Sequence, residues 1–233
     1  MAVLRAAVEA YRVAVTAAGV PLPDSGDRGD EPPLDVLCQV FDVDHVAEQL
    51  VWLRSQGWLY GGVLPGAYME PWTNVDALLD ELSFAVATPF HWRHQVPLFR
   101  DDHLVFTFVL TGDREGEVWR YHIDPDNWMP VRAARSLAAM FTEWTKGFAA
   151  NVYDRSRHDW LQLNFEGADA VNMLLDRALD PLAFPTYIFE HLHGDFIPAR
   201  QRECGVDVDR ADSFESHEEI LDGIDAARAS LRK

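Results

Sequence analysis

Cysteine is nearly absent from this 233-residue chain, which holds only Cys38 and Cys204. Two distant thiols build no disulfide framework, and no CxxC pair exists for a redox or zinc role. A bridge between them is not expected. Cys38, in the apolar run LCQVF, reads as a buried thiol, and Cys204, in RECGVD, as a loop residue. Positive charge is scarce as well: 20 Lys and Arg face 38 Asp and Glu, for a net charge of -18 and a pI near 4.7. A field of that sign repels phosphate backbones, so direct nucleic-acid binding is disfavoured, while basic partners are attracted. An acidic surface can also mimic a phosphate backbone and occupy a nuclease, or it can serve solubility alone.

Long uncharged apolar runs are missing too. The N-terminal stretch MAVLRAAVEAYRVAVTAAG is interrupted by Arg5, Glu9 and Arg12, so it suits neither a secretory h-region nor a bilayer span. No later segment is apolar enough to span, which leaves the cytoplasm as the expected location and no membrane partner. The chain also lacks the phosphate loop GxxxxGK[ST], the dinucleotide fingerprint GxGxxG, the zinc motif HExxH and the nucleophile elbow GxSxG. No cofactor is therefore expected, and catalysis is the weaker reading.

What is present is core material: 48% hydrophobic residues, with eight Trp and thirteen Phe. That is ample for one large domain. Leu4, Val8, Tyr11 and Val15 recur at helical steps and predict a helix over 2–18 with Gly19 as its stop. The stretch VPLPDSGDRGDEPPLD reads as a linker, so the first helix is expected to dock on the body as an appendage. Asp44 is expected to cap a helix running to about Gln56, and Thr73 or Asn74 one running to about Phe84. Leu104–Leu110, almost wholly apolar, suits a strand buried on both faces, and TGDREG suits a turn. Glu117–Ile123 alternates, which suits a partner strand with one face more buried. Helices are expected over about Ala133–Phe148 and Ala168–Leu179. Pro181, Pro185 and Pro198 should act as breaks, and Ser216-His217-Glu218-Glu219 should box a last helix to about Arg232.

Few residues point to chemistry. His91 and His94, and His191 and His193, are spaced to share a metal, but no further ligand motif accompanies either pair, and a packed turn is the stronger reading of the first. Asp101-Asp102-His103 and Asp124-Pro125-Asp126 sit at strand ends. Carboxylates there can bind a cation, yet Asp forms turns far more often, and the calcium-loop spacing is missing. Ser136 precedes an apolar stripe and reads as a helix cap. Trp52, Trp58, Tyr60, Tyr68 and Trp72 cluster, as core more than as interface anchors. Should the chain bind a protein, Asp101, Asp102, Asp124, Asp126 and Trp128 are the candidate contacts, combining charge for steering with an aromatic anchor.

The order VWLRSQGW, LPGAYMEPWTNVDALLDEL, PLFRDDHLVFTFVL, GEVWRYHIDPD and AARSLAAMFTEW, with Ala134, Ser136 and Leu137 as a helix start, resembles the SMI1/KNR4 family of the SUKH superfamily over about residues 36–150. Asp101, Asp102 and His103 stand where the family often has a Gly-rich turn, and Gln56-Gly57 where it often has Asn-Gly. The resemblance implies an α+β domain with a mixed, mostly antiparallel sheet and packed helices. It divides the chain into an N-terminal helix and linker (1–34), a family-like core (35–155) and a helical C-terminal extension (156–233). It also implies a non-catalytic role: a bacterial immunity protein neutralising a toxin, possibly a nuclease, or else a regulatory scaffold. A basic toxin domain is the partner expected from the first.

Overall fold

The stripe Leu4, Val8, Tyr11 and Val15 becomes the buried side of the first helix, and the rest of the fold is built against it. The structure, a computed structural model, describes residues 1–23, 31–70, 72, 74–83, 87–101, 103–122, 130–155, 160–164, 167–186, 195–206 and 215–231. In chain order the elements are α1 (Ala2–Ala17), α2 (Leu34–Phe41), α3 (Glu48–Arg54), β1 (Tyr68–Met69), α4 (Val75–Leu82), β2 (Ala87–Thr88), β3 (Gln95–Arg100), β4 (Leu104–Val109), β5 (Val118–His122) and β6 (Val131–Ala134). There follow α5 (Leu137–Ala149), β7 (Tyr153–Arg155), β8 (Leu161–Leu163), α6 (Gly167–Asp176), α7 (Phe196–Glu203), β9 (Glu215–Ser216) and α8 (His217–Leu231). The fold class is α+β, with helices around a five-stranded sheet of order β1-β3-β4-β5-β6. Every described pairing is antiparallel, including the small β2–β9 and β7–β8 ladders, so the mixed sheet is not seen among the described residues.

α1 is no appendage. Tyr11 is fully buried, donates its hydroxyl to the Val63 carbonyl at 2.6 Å and packs on Phe141, Trp144 and Phe148 of α5 and its end. That hydrogen bond offsets the cost of burying the hydroxyl. Gly19, at φ +75°, turns the chain in a Schellman closure: its N–H donates to Thr16 O while Val20 N–H donates to Val15 O. A single apolar cluster joins α1, the sheet, α5 and α8, so residues from 1–34, 35–155 and 156–233 share one core.

The structure corrects several boundaries. α2 was not expected; it ends at Asp42, held left-handed at φ 51°. Asp44 therefore lies in the bend between helices, and α3 starts only at Glu48, without a side-chain cap. Cys38, on α2, is half-buried rather than buried; Cys204 is not in an open loop but buried at the end of α7, and both thiols are free. Ala133 and Ala134, the expected start of a helix, instead belong to β6, which pairs with β5. The helix waits for Ser136, whose Oγ accepts Ala139 N–H at 3.1 Å as the cap reading expects. Pro198 does not break α7, because it sits in the first turn, where its missing N–H has no helical partner to lose.

β4 is buried at all six positions, as its apolar run requires. β5 departs from expectation: it too is buried throughout, because residues 181–186 cover the face that alternation left to solvent. Pro97 is tolerated inside β3 because the ladder shifts register there, and its carbonyl accepts Trp72 Nε1–H at 2.9 Å. Trp72 is thereby a core residue, while Trp52, Trp58, Tyr60 and Tyr68 are half-buried. No described helix is long and apolar enough to cross a membrane.

Candidate protein-binding face

Asp101 closes the β3–β4 turn. Its Oδ1 accepts the N–H groups of His103 at 2.7 Å and Leu104 at 2.6 Å, and its own N–H donates to Leu104 O. This is the turn chemistry that short Asp side chains provide. Burial pushes its carboxyl above the usual carboxylate range, against those two bonds and the nearby Arg120. The other sequence-named contacts, Asp102, Asp124, Asp126 and Trp128, lie outside the described residues, as do His191 and His193.

His91 precedes and His94 ends a single 3-10 turn, Trp92–His94, with ring centroids 5.4 Å apart. His91 Nδ1 accepts Arg93 N–H, and its Nε2 lies 3.7 Å from Glu215 Oε1. Burial, then the neighbouring His91, draws the His94 pKa down. Among the described residues no group of three or more His, Cys, Asp or Glu is placed to hold a metal. Both rings open on a cleft of about 750 Å³ lined also by Arg114, Glu117, Arg132 and Cys204. Its charges satisfy one another: Glu117 takes Arg132 at 2.6 Å and Trp119 Nε1–H at 2.9 Å, and Arg114 donates to Cys204 O at 2.6 Å. Burial raises the Cys204 thiol pKa, the opposite of what an activated nucleophile needs.

A different surface gathers unbalanced charge. Ile220, Ile224 and Ala227 bury one stripe of α8, and Gly223 lies so close to Trp92 that a Cβ there would collide with the indole nitrogen. The helix is started by a full capping box: Glu219 Oε2 accepts Ser216 N–H at 2.7 Å, and Ser216 Oγ accepts Glu219 N–H at 3.3 Å. Glu215 anchors the entry, accepting Trp92 N–H and the Thr88 hydroxyl. These contacts fix the opposite stripe outward. Glu218, Leu221, Asp222 and Asp225, at steps of three and four, are all exposed.

α4 lies alongside, joined through Arg228, which pairs with Asp80 and reaches Asp76 at 3.5 Å and Asp225 at 3.6 Å. Asn74 starts α4 by accepting Ala77 N–H, so Leu78, Leu79 and Leu82 face inward while Asp76 and Asp80 stay about two-thirds exposed. The result, among the described residues, is an acidic face on two helices that carries Leu221 and Arg228. The α8 half was readable from helical spacing. Its union with α4 was not, since the residues that join them are 148 positions apart.

No family model, no curated protein and no solved structure matches this chain.

Proposed function

We propose that this is a non-catalytic protein-binding domain that neutralises a basic protein toxin, as the SMI1/KNR4 resemblance implies. The observation that carries this reading is the α4–α8 face, where exposed Glu218, Asp222 and Asp225 share one stripe of α8 with Leu221 and Arg228 links that helix to Asp76 and Asp80 of α4. Charge of one sign steers a basic partner and makes association fast and salt-sensitive, while an exposed leucine supplies apolar contact. The net charge of -18 extends the same field over the whole chain. The strand-end set Asp101, Asp102, Asp124, Asp126 and Trp128 stays in the proposal as a second contact region.

The test is co-purification with the products of adjacent genes, followed by rescue of cells expressing the basic one. A complex that weakens with salt and rescues growth is the expected result. Complex formation without rescue turns the reading to a regulatory scaffold. A clean failure to capture any adjacent product, or stoichiometric metal in the purified protein, removes it. Charge reversal at Asp222 and Asp225, and separately at Asp101 and Asp102, distinguishes the two regions by which one lowers affinity and flattens the salt dependence.

A further inference from the structure

Arg54, at the end of α3, is only 4% exposed and lies flat over the Trp72 ring, 3.5 Å from its centroid. Its NH1 donates to the Glu70 carbonyl at 3.0 Å, and its NH2 to Glu31 Oε1 at 2.6 Å. The Tyr60 hydroxyl donates to the same Glu31 oxygen at 2.9 Å. Glu31 is thus the point where the chain entering α2 is tied to the body. The Glu70 carboxyl faces Arg54 from α3, Arg100 from β3 and Glu81 from α4, and Glu81 is paired with Arg100.

The charges here do not close. Among the described residues, three carboxylates, Glu31, Glu70 and Glu81, meet two guanidiniums, Arg54 and Arg100. In a poorly solvated cluster the surplus negative charge is costly, and a proton removes it. Three buried atoms of the cluster are also left without partners among the described residues: Arg54 Nε, a donor, and Glu70 Oε2 and Glu81 Oε2, acceptors. A donor and an acceptor unsatisfied within one cluster mark an alternative pairing that the present arrangement forgoes.

We propose that Arg54 is a two-position switch, bonded to Glu31 while Glu70 carries a proton and turned toward Glu70 when that proton leaves. Glu31 is the partner able to let go, because its side chain is 31% exposed and water can take its charge. Burial first, and Glu81 second, lift the Glu70 carboxyl to about 7, which places the exchange near neutral pH. Alkalinisation then frees the Glu31 end of the segment leading into α2. The inference is independent of the toxin-binding reading.

Hydrogen exchange over residues 31–41, corrected for intrinsic rates, tests the switch in the full chain. Protection should fall about tenfold between about pH 6 and about pH 8 in the wild type, the factor for one unit of preferential proton binding. Glu70→Gln should keep the acidic-side protection at both values, and Glu31→Gln should show the low protection at both. Equal wild-type protection at the two values, or the same loss in Glu70→Gln, overturns the proposal. Carbon-detected titration of the Glu70 carboxyl in the unsubstituted protein decides the matter even where a variant fails to fold. A midpoint below about 5.5, inside the ordinary glutamate range, overturns it as well.

Discussion

Arg120 and Arg54 are both arginines taken out of water, and they are held by opposite chemistry. Arg120, on β5, is fully buried; burial draws its pKa down to about 10. It donates to the carbonyls of Leu182 at 3.1 Å, Phe184 at 3.0 Å and Thr186 at 2.6 Å. Those acceptors are backbone groups fixed by their own turn, they carry no net charge and they do not titrate. Arg54 donates to one carbonyl, that of Glu70, and is otherwise held by the Glu31 carboxylate while it faces the Glu70 carboxyl, which burial lifts to about 7. A buried cation on carbonyls is therefore a permanent rivet, and one among carboxylates has more than one stable partner.

Removing the rivet should do the most damage. Arg120→Met fills the space but takes the Arg120 donor from the carbonyls of residues 182, 184 and 186, of which the Phe184 carbonyl keeps the Thr186 N–H at 2.8 Å. We expect a loss of about 3–5 kcal/mol with little pH dependence. Urea unfolding followed by tryptophan fluorescence measures it, since Trp144 Nε1 donates to Ala183 O in the same turn. A loss near zero would mean the clamp is decorative. Arg54→Met should cost less, about 1–3 kcal/mol, because Glu31 can return to water and only the Glu70 carbonyl loses a buried donor. Its loss should vary with pH, unlike that of Arg120→Met.

The contrast between these arginines also marks how far the sequence could be read. β4 and the α1 stripe were legible because burial follows a period of two or 3.6 within a dozen residues. The α8 capping box was legible because both its partners sit in one turn. β5 was read only as a strand with one face more buried; the burial of both faces depends on the return of residues 181–186, some sixty positions after Arg120. α2 was missed because its eight residues directly follow a run of Pro, Gly and Asp that dominated the local signal. The acidic face depends on α4 and α8 meeting, which no local pattern encodes, and four of the five loop residues singled out in the sequence fall outside the described ones.

Glu70→Gln is a milder break and has a sign of its own. The folded carboxyl sits at about 7, above its ordinary value of 4.5. The folded state thus binds the proton more tightly than the unfolded chain. That contribution to stability is complete below about 4.5 and is lost as pH rises through about 7. Glutamine keeps the neutral form at every pH. The variant should match the wild type at acidic pH and exceed it at about pH 8 by roughly 1 kcal/mol, a figure discounted for the partial exposure of Glu70. Denaturant midpoints at the two pH values provide the measurement. A variant that is weaker at both shows that Glu70 acts as a charged partner of Arg54 or Arg100 throughout.

The smallest effect on stability should come from the third arginine of the series, Arg228. It reaches Asp76, Asp80 and Asp225, more carboxylates than either buried arginine, yet those partners are about two-thirds exposed or more. Water and salt screen such pairs, so Arg228→Gln should shift stability by no more than about 0.5 kcal/mol. Its effect on binding should be the reverse of neutral. Arg228 lies between α4 and α8 on the acidic face, and removing it takes the cation away from Asp76, Asp80 and Asp225. Affinity for a lysine-rich peptide, measured by fluorescence titration at low salt, should then rise by about threefold and converge with wild type as salt is added. Unchanged affinity at low salt would move the basic-partner contact off α4 and α8 and onto the strand-end aspartates.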